Sequence, residues 1–170
     1  RLQTHIAWQT LQFVLHERAP SEEEFRHSQR VLRIGAIESY VRGLLATTPD
    51  QKIKLFTQAV RIEPQYSQAS FQLARLLYDR KSYRIAAEHL AKVASVDVNY
   101  RSATFLLGLC RYRLKDFTGA EQAFSKVAES VPLNEVINNL GAAQSRKNSP
   151  AAVVNFQKAL EGDPNDPDYH

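Results

Sequence analysis

Apolar residues recur along the chain three and four apart, in segments separated by proline, serine, threonine or aspartate, which is the pattern of short amphipathic helices. The first segment, 1–17, sets Ala7, Leu11, Val14 and Leu15 on one helical face, with Trp8 on its flank. Pro20-Ser21 ends it, and Ser21 with Glu24 has capping-box spacing for a second helix reaching about Leu32. That helix is polar except for Phe25, Val31 and Leu32. Glu22, Glu23 and Glu24 read as acids favoured in a first helical turn, not as a catalytic cluster. A third helix, Ala36 to Ala46, carries Ile37, Val41, Leu44 and Leu45 on one face. Thr48 then suits an N-cap and Pro49 a first helical position. The following helix holds Phe56 and Ala59 and stops at Glu63-Pro64.

From there one pattern returns. Phe56, Leu90, Phe124 and Phe156 follow one another at intervals of 34, 34 and 32 residues, and Ala59, Val93, Val127 and Ala159 repeat those intervals. The joints Thr48, Ser82 and Asp116 are again 34 apart, and each is chemically able to cap the helix that follows. Independent helices would drift out of phase within one unit, so the agreement predicts a helix–turn–helix repeat.

The repeat resembles the tetratricopeptide repeat family, and the chain resembles a piece of a bacterial-type tetratricopeptide protein. A small residue follows a leucine in the first helix at Ala74, Gly108 and Gly141. A second small slot holds Ala86, Ala120 and Ala152, an aromatic follows the joint at Tyr83 and Phe117, and Pro64, Val98, Pro132 and Pro164 stand where units close. Val98 in place of proline implies a less rigid turn. Lys52 occupies the alanine slot of the first unit, which also lacks the small–leucine pair in register, and the last unit is two residues short. The resemblance implies an all-α, right-handed α-solenoid of tetratricopeptide-like units, with two extra N-terminal helices. Its expected parts are an N-terminal capping or docking segment (1–35), a divergent first repeat (36–66), and repeats at 67–100, 101–133 and 134–166. Residues 167–170 would begin a truncated further repeat.

Composition narrows the chemistry. The 22 basic and 18 acidic residues are interspersed, which suits a mixed solvated surface better than a nucleic-acid footprint. Cys110 is the single cysteine, so no internal disulfide forms, and its apolar helical setting makes it a core residue. The five histidines share no metal-ligand spacing, the six glycines build no phosphate loop, and no Gly-x-Ser-x-Gly elbow exists. Neither catalysis nor a metal or cofactor is therefore expected. No apolar run approaches a bilayer span of about 20 residues. The chain opens on Arg1 and contains no methionine, so its natural start is expected to lie before Arg1. A soluble protein follows, either cytoplasmic or exported with its targeting segment outside this sequence.

Function then belongs to a surface. By the family's geometry, first helices line a concave groove. Transferred unit by unit, that geometry implies Phe71, Arg75, Tyr78 and Asp79 from one helix, Phe105, Leu109, Tyr112 and Arg113 from the next, and Asn138, Ala142 and Arg146 from the last. Packing between repeats competes for Phe71 and Phe105, and Asn139 has a structural reading beside the family's leucine. Some family members grip chaperone tails by a C-terminal carboxylate. The corresponding positions here hold Phe71, Arg75, Ser102 and Leu106, so such binding is not expected. The expectation is a non-catalytic protein–protein interaction scaffold holding a peptide or helix. The alternatives are a regulatory or positioning arm of a larger enzyme or envelope assembly and, from the mildly basic charge, a nucleic-acid-binding solenoid. Asp166 to His170 stops where another unit's first helix would begin, and that open end leaves room for self-association.

Overall fold

The computed structural model describes residues 32–162 continuously, together with residues 5, 8–10, 12, 13, 21, 23 and 164. It divides into two units, 1–33 and 34–170. In the first, residues 5, 8–10, 12, 13 and 23 have helical backbone, and the His5 and Trp8 rings lie 5.9 Å apart. Ala7, Leu11, Val14, Leu15, Phe25, Val31 and the Glu24 half of the capping box lie outside the described residues.

The second unit is an α-solenoid of eight consecutive described helices: α1 (Ile34–Leu45), α2 (Pro49–Ile62), α3 (Ser67–Asp79), α4 (Tyr83–Leu90), α5 (Tyr100–Arg113), α6 (Phe117–Ser130), α7 (Asn134–Ser145) and α8 (Ala151–Gly162). Each packs on the next, giving four hairpins in a stack. Inside each hairpin a small residue faces a large one. A Cβ added to Gly43 would fall 2.6 Å from the Phe56 ring, one added to Gly108 2.6 Å from Phe124, and one added to Gly141 3.0 Å from Phe156. In the second hairpin the large partner is Leu90, and there the small residue is Ala74, both in one buried cluster. Phenylalanine thus goes with glycine and leucine with alanine, which keeps each helix crossing filled.

Three joints close alike. Lys81, Lys115 and Asn148 adopt left-handed backbone with φ of 60°, 64° and 55°. The amides after them donate to carbonyls five residues back, Ser82 to Leu77, Asp116 to Arg111 and Ser149 to Gln144, at 2.9–3.0 Å. These are Schellman turns, which satisfy carbonyls otherwise orphaned at a helix end. The first joint differs. Thr47 stands where Lys81 and Lys115 stand in later units, and a β-branched residue resists left-handed backbone. No described residue there has positive φ, and Thr48 is extended at φ −103°, ψ 144°. The small residue accordingly sits at Gly43 instead of the in-register Tyr40. Helix α1 is drawn back from the joint by about one turn, ~4.5 Å.

Several sequence expectations change. Thr48 accepts from the Gln51 amide at 3.3 Å and Asp116 from Gly119 at 2.9 Å, but Ser82 makes no side-chain cap bond. Ser82 and Asp116 share nearly the same φ (ψ 54° and 73°), and at such dihedrals the longer carboxylate reaches an amide that the hydroxyl does not. The face of Ile37, Val41, Leu44 and Leu45 is open, at 40–76% exposure, whereas α1 buries Ala36, Ser39 and Gly43. So close an approach of Phe56 admits only small residues. Helix α4 ends at Leu90, so Val93 is buried in a run of turns and not in a helix. There the Asp97 carboxylate accepts from the Asn99 amide at 2.8 Å, a local turn that competes with helix. Ser67 Oγ accepts from the Ala94 amide at 3.0 Å and ties this run to the start of α3.

Candidate functional site

The residues expected in a groove along the first helices divide into two groups. Phe71 is 7% exposed and belongs to the cluster of Ala74, Ala86, Leu90, Val93, Ala103 and Cys110. Phe105, Leu109 and Tyr112 are half-buried and pack on Ala120, Phe124, Leu140 and Ala143, so one side of each carries the contact between the third and fourth hairpins. Tyr78 and Tyr112 are likewise half-buried and meet the aromatic after their joints edge-on, Tyr83 at 5.3 Å and Phe117 at 5.4 Å. The apolar residues are therefore partly absorbed by packing.

The polar residues are not. Arg75, Asp79, Arg113 and Arg146 are exposed, and Asn138 and Ala142 are half-buried. Arg75 lies over the Phe71 ring at 5.9 Å. Arg146 Nε donates to the Tyr112 hydroxyl at 3.2 Å, which joins α5 to α7 and raises the arginine's pKa. Asn139 donates to the Glu135 carbonyl at 2.8 Å, its structural reading. Behind this edge, Glu121 of α6 accepts from Gln144 at 3.1 Å and from Lys147 at 2.6 Å, and Asn155 of α8 donates to Gln144 at 2.7 Å. The Lys147 hydrogen bond is the main cause that holds the Glu121 carboxyl below its ordinary range.

Two concavities adjoin these elements. A cleft of about 160 Å³ is lined by Leu44, Lys52, Phe56, Gln72, Arg75, Leu76 and Asp79, from α1, α2 and α3. It brings Arg75 and Asp79 together with Lys52, Gln72 and Leu76, which periodicity did not single out as surface chemistry. The available signal was Lys52 itself, a lysine in an alanine slot. A second cleft of about 440 Å³ lies beside the turns after α4, where Lys126 Nζ stands 5.2 Å from the Tyr100 ring centre. Among the described residues no group of acids, histidines and cysteine has metal-holding geometry, and no helix is long and apolar enough to cross a membrane.

Residues 71–135 match the sequence model of the tetratricopeptide repeat family. That stretch carries tetratricopeptide repeats. Its fold is also that of solved tetratricopeptide structures. YrrB, described as a TPR protein with an unusual peptide-binding site, is 19% identical, with a TM-score of 0.71 over 95% of this chain and 86% of that one. MamA from Desulfovibrio magneticus RS-1 is 19% identical, with a TM-score of 0.66 over 97% of both chains. PilF from Pseudomonas aeruginosa is 22% identical, with a TM-score of 0.60 over 79% of this chain and 64% of that one. No curated protein sequence matches the chain. These likenesses establish the tetratricopeptide fold; the surface chemistry above belongs to this sequence.

Proposed function

We propose that this tetratricopeptide stack is a non-catalytic protein-interaction scaffold, holding a peptide or partner helix along its first helices α3, α5 and α7. The observation that carries the reading is that Arg75 of α3, Arg113 of α5 and Arg146 after α7 are all exposed, with half-buried Leu109 and Tyr112 on α5 between the flanking helices. None of the three arginines has a carboxylate partner among the described residues. Aromatic area supplies binding energy at small entropic cost, and a guanidinium forks onto carboxylate or carbonyl oxygens. The peptide-binding site named for YrrB supports a peptide as the occupant. Because Tyr112 also packs within its hairpin, the test uses exposed residues. Peptides selected from a random displayed library should bind the wild-type chain and lose affinity on Arg113→Glu with Arg146→Glu, while helical circular dichroism at the assay temperature stays unchanged. Equal affinity for that double variant would remove the groove.

A further inference from the structure

The cleft between α1, α2 and α3 departs from the repeat in a way that packing does not explain. At the slot of Lys52 the other hairpins carry Ala86, Ala120 and Ala152, all buried against the first helix of their own hairpin. In the first hairpin α1 is drawn back by a turn, which uncovers this slot at the joint end and lets a lysine stand there half-buried. Lys52 faces a concavity whose other polar members are Arg75, Gln72 and Asp79, over an apolar floor of Leu44, Phe56 and Leu76. Neither cation is matched internally. Lys52 and Arg75 make no ion pair among the described residues, and nearby Arg80 is already engaged by Asp50. Two unpaired cations against one carboxylate leave the cleft net positive.

We infer that this cleft receives a carboxylate side chain, that of a glutamate or aspartate, from the segment bound in the groove. Its volume of about 160 Å³ admits one side chain. The methylene stem lies on Leu44 and Leu76, the carboxylate meets Lys52 and Arg75, and Asp79 is left to accept a backbone N–H of the same residue. The inference rests on the groove reading and adds a chemical requirement to it: the partner is acidic at the end of the groove nearest α1.

The test is a peptide-display selection on the folded chain with every peptide's C-terminus blocked, so that any carboxylate selected belongs to a side chain. The recovered peptides should share one acidic position. Synthesised with a C-terminal amide, the leading peptide should weaken about tenfold when that acid becomes its amide. Lys52→Ala, which writes the residue of the other hairpins and should keep the fold, ought to weaken the acidic peptide severalfold, less than loss of the acid because Arg75 remains, and to affect the amide variant less, which is the coupling a double-mutant cycle reads. Arg75→Gln serves as a second variant if Lys52→Ala lowers the unfolding midpoint. Recovered peptides with no shared acid, or with affinity indifferent to Lys52→Ala, would overturn the cleft while leaving the groove standing, since Lys52 is not one of the groove's residues. Recovery of no peptide would overturn both.

Discussion

Gly43 lies against Phe56 so closely that a Cβ on the glycine would come within 2.6 Å of the ring, and Gly108 stands in the same relation to Phe124. Alanine at either glycine must push a buried ring out of its rotamer. Gly108→Ala is expected to cost about 1–3 kcal/mol in urea unfolding, with Gly141→Ala milder because its contact is 3.0 Å. The second hairpin suggests the remedy, since its pair is Ala74 with Leu90. Adding Phe124→Leu to Gly108→Ala should recover part of the loss, giving a favourable coupling in a double-mutant cycle. Strictly additive losses would mean that the glycine answers to something other than the ring.

Lys115 holds left-handed backbone at φ 64° although its side chain gains nothing from it, and the same is true of Lys81 at 60°. A non-glycine residue pays for this geometry, while glycine accepts it at the cost of a looser unfolded chain. Lys115→Gly should therefore raise stability by about 1 kcal/mol. Asn148→Gly should gain less, because asparagine tolerates left-handed backbone. A lower unfolding midpoint for Lys115→Gly would contradict the Schellman account of this joint.

The repeat was legible because its strongest signals, Phe56, Leu90, Phe124 and Phe156, sit on second helices whose register the joints preserve. Thr48 and Asp116 were readable as caps for the same reason. Gly43 was not, since register pointed to Tyr40, and only the failure of Thr47 to enter left-handed backbone moves the small residue by a turn. The end of α4 at Leu90 was not legible, because the helical spacing runs on to Val93, which the structure buries in a turn. The aromatic residues of the expected groove were ambiguous in principle. On a first helix the groove side adjoins the side that meets the next hairpin, so three-and-four spacing places Phe105 and Leu109 without deciding how much of each is packed. Lys52 was visible as an exception, and its cleft needed the displacement of α1.

His89 gives the fold a dependence on pH. Its Nδ1 is buried without a hydrogen-bond partner, and its pKa falls below the ordinary 6.5, chiefly through burial, with Lys92 adding to the effect and Glu88 opposing it. Between the lowered folded value and the ordinary unfolded value the unfolded chain binds more protons, so stability rises with pH in that window. The contribution is complete above about pH 6.5, is lost as pH falls toward the folded value, and is flat below it. Urea unfolding at about pH 7.5 and about pH 5.5 should show a loss in the wild type that His89→Gln reduces. An identical pH response in the two chains would exclude this histidine as the cause.

Cys110 reports on how the stack opens. Burial raises its thiol pKa to about 11, and the residue shares a cluster with Phe71 and Ala74 of α3 and Ala86 and Leu90 of α4. A thiol that is protonated at neutral pH and shielded by two hairpins reacts with iodoacetamide only after the contact between those hairpins is broken. Labelling of the native chain should thus be slow, accelerate with urea, and give an opening free energy equal to that of global unfolding. Repeat stacks can also fray by units, because each hairpin contacts only its neighbours. Cys110 lies on the α4–α5 contact, with hairpins on both sides, so fraying at either end leaves it covered. Labelling at a free energy well below global unfolding would place the weakest contact of the stack between the second and third hairpins, where α4 is shortest.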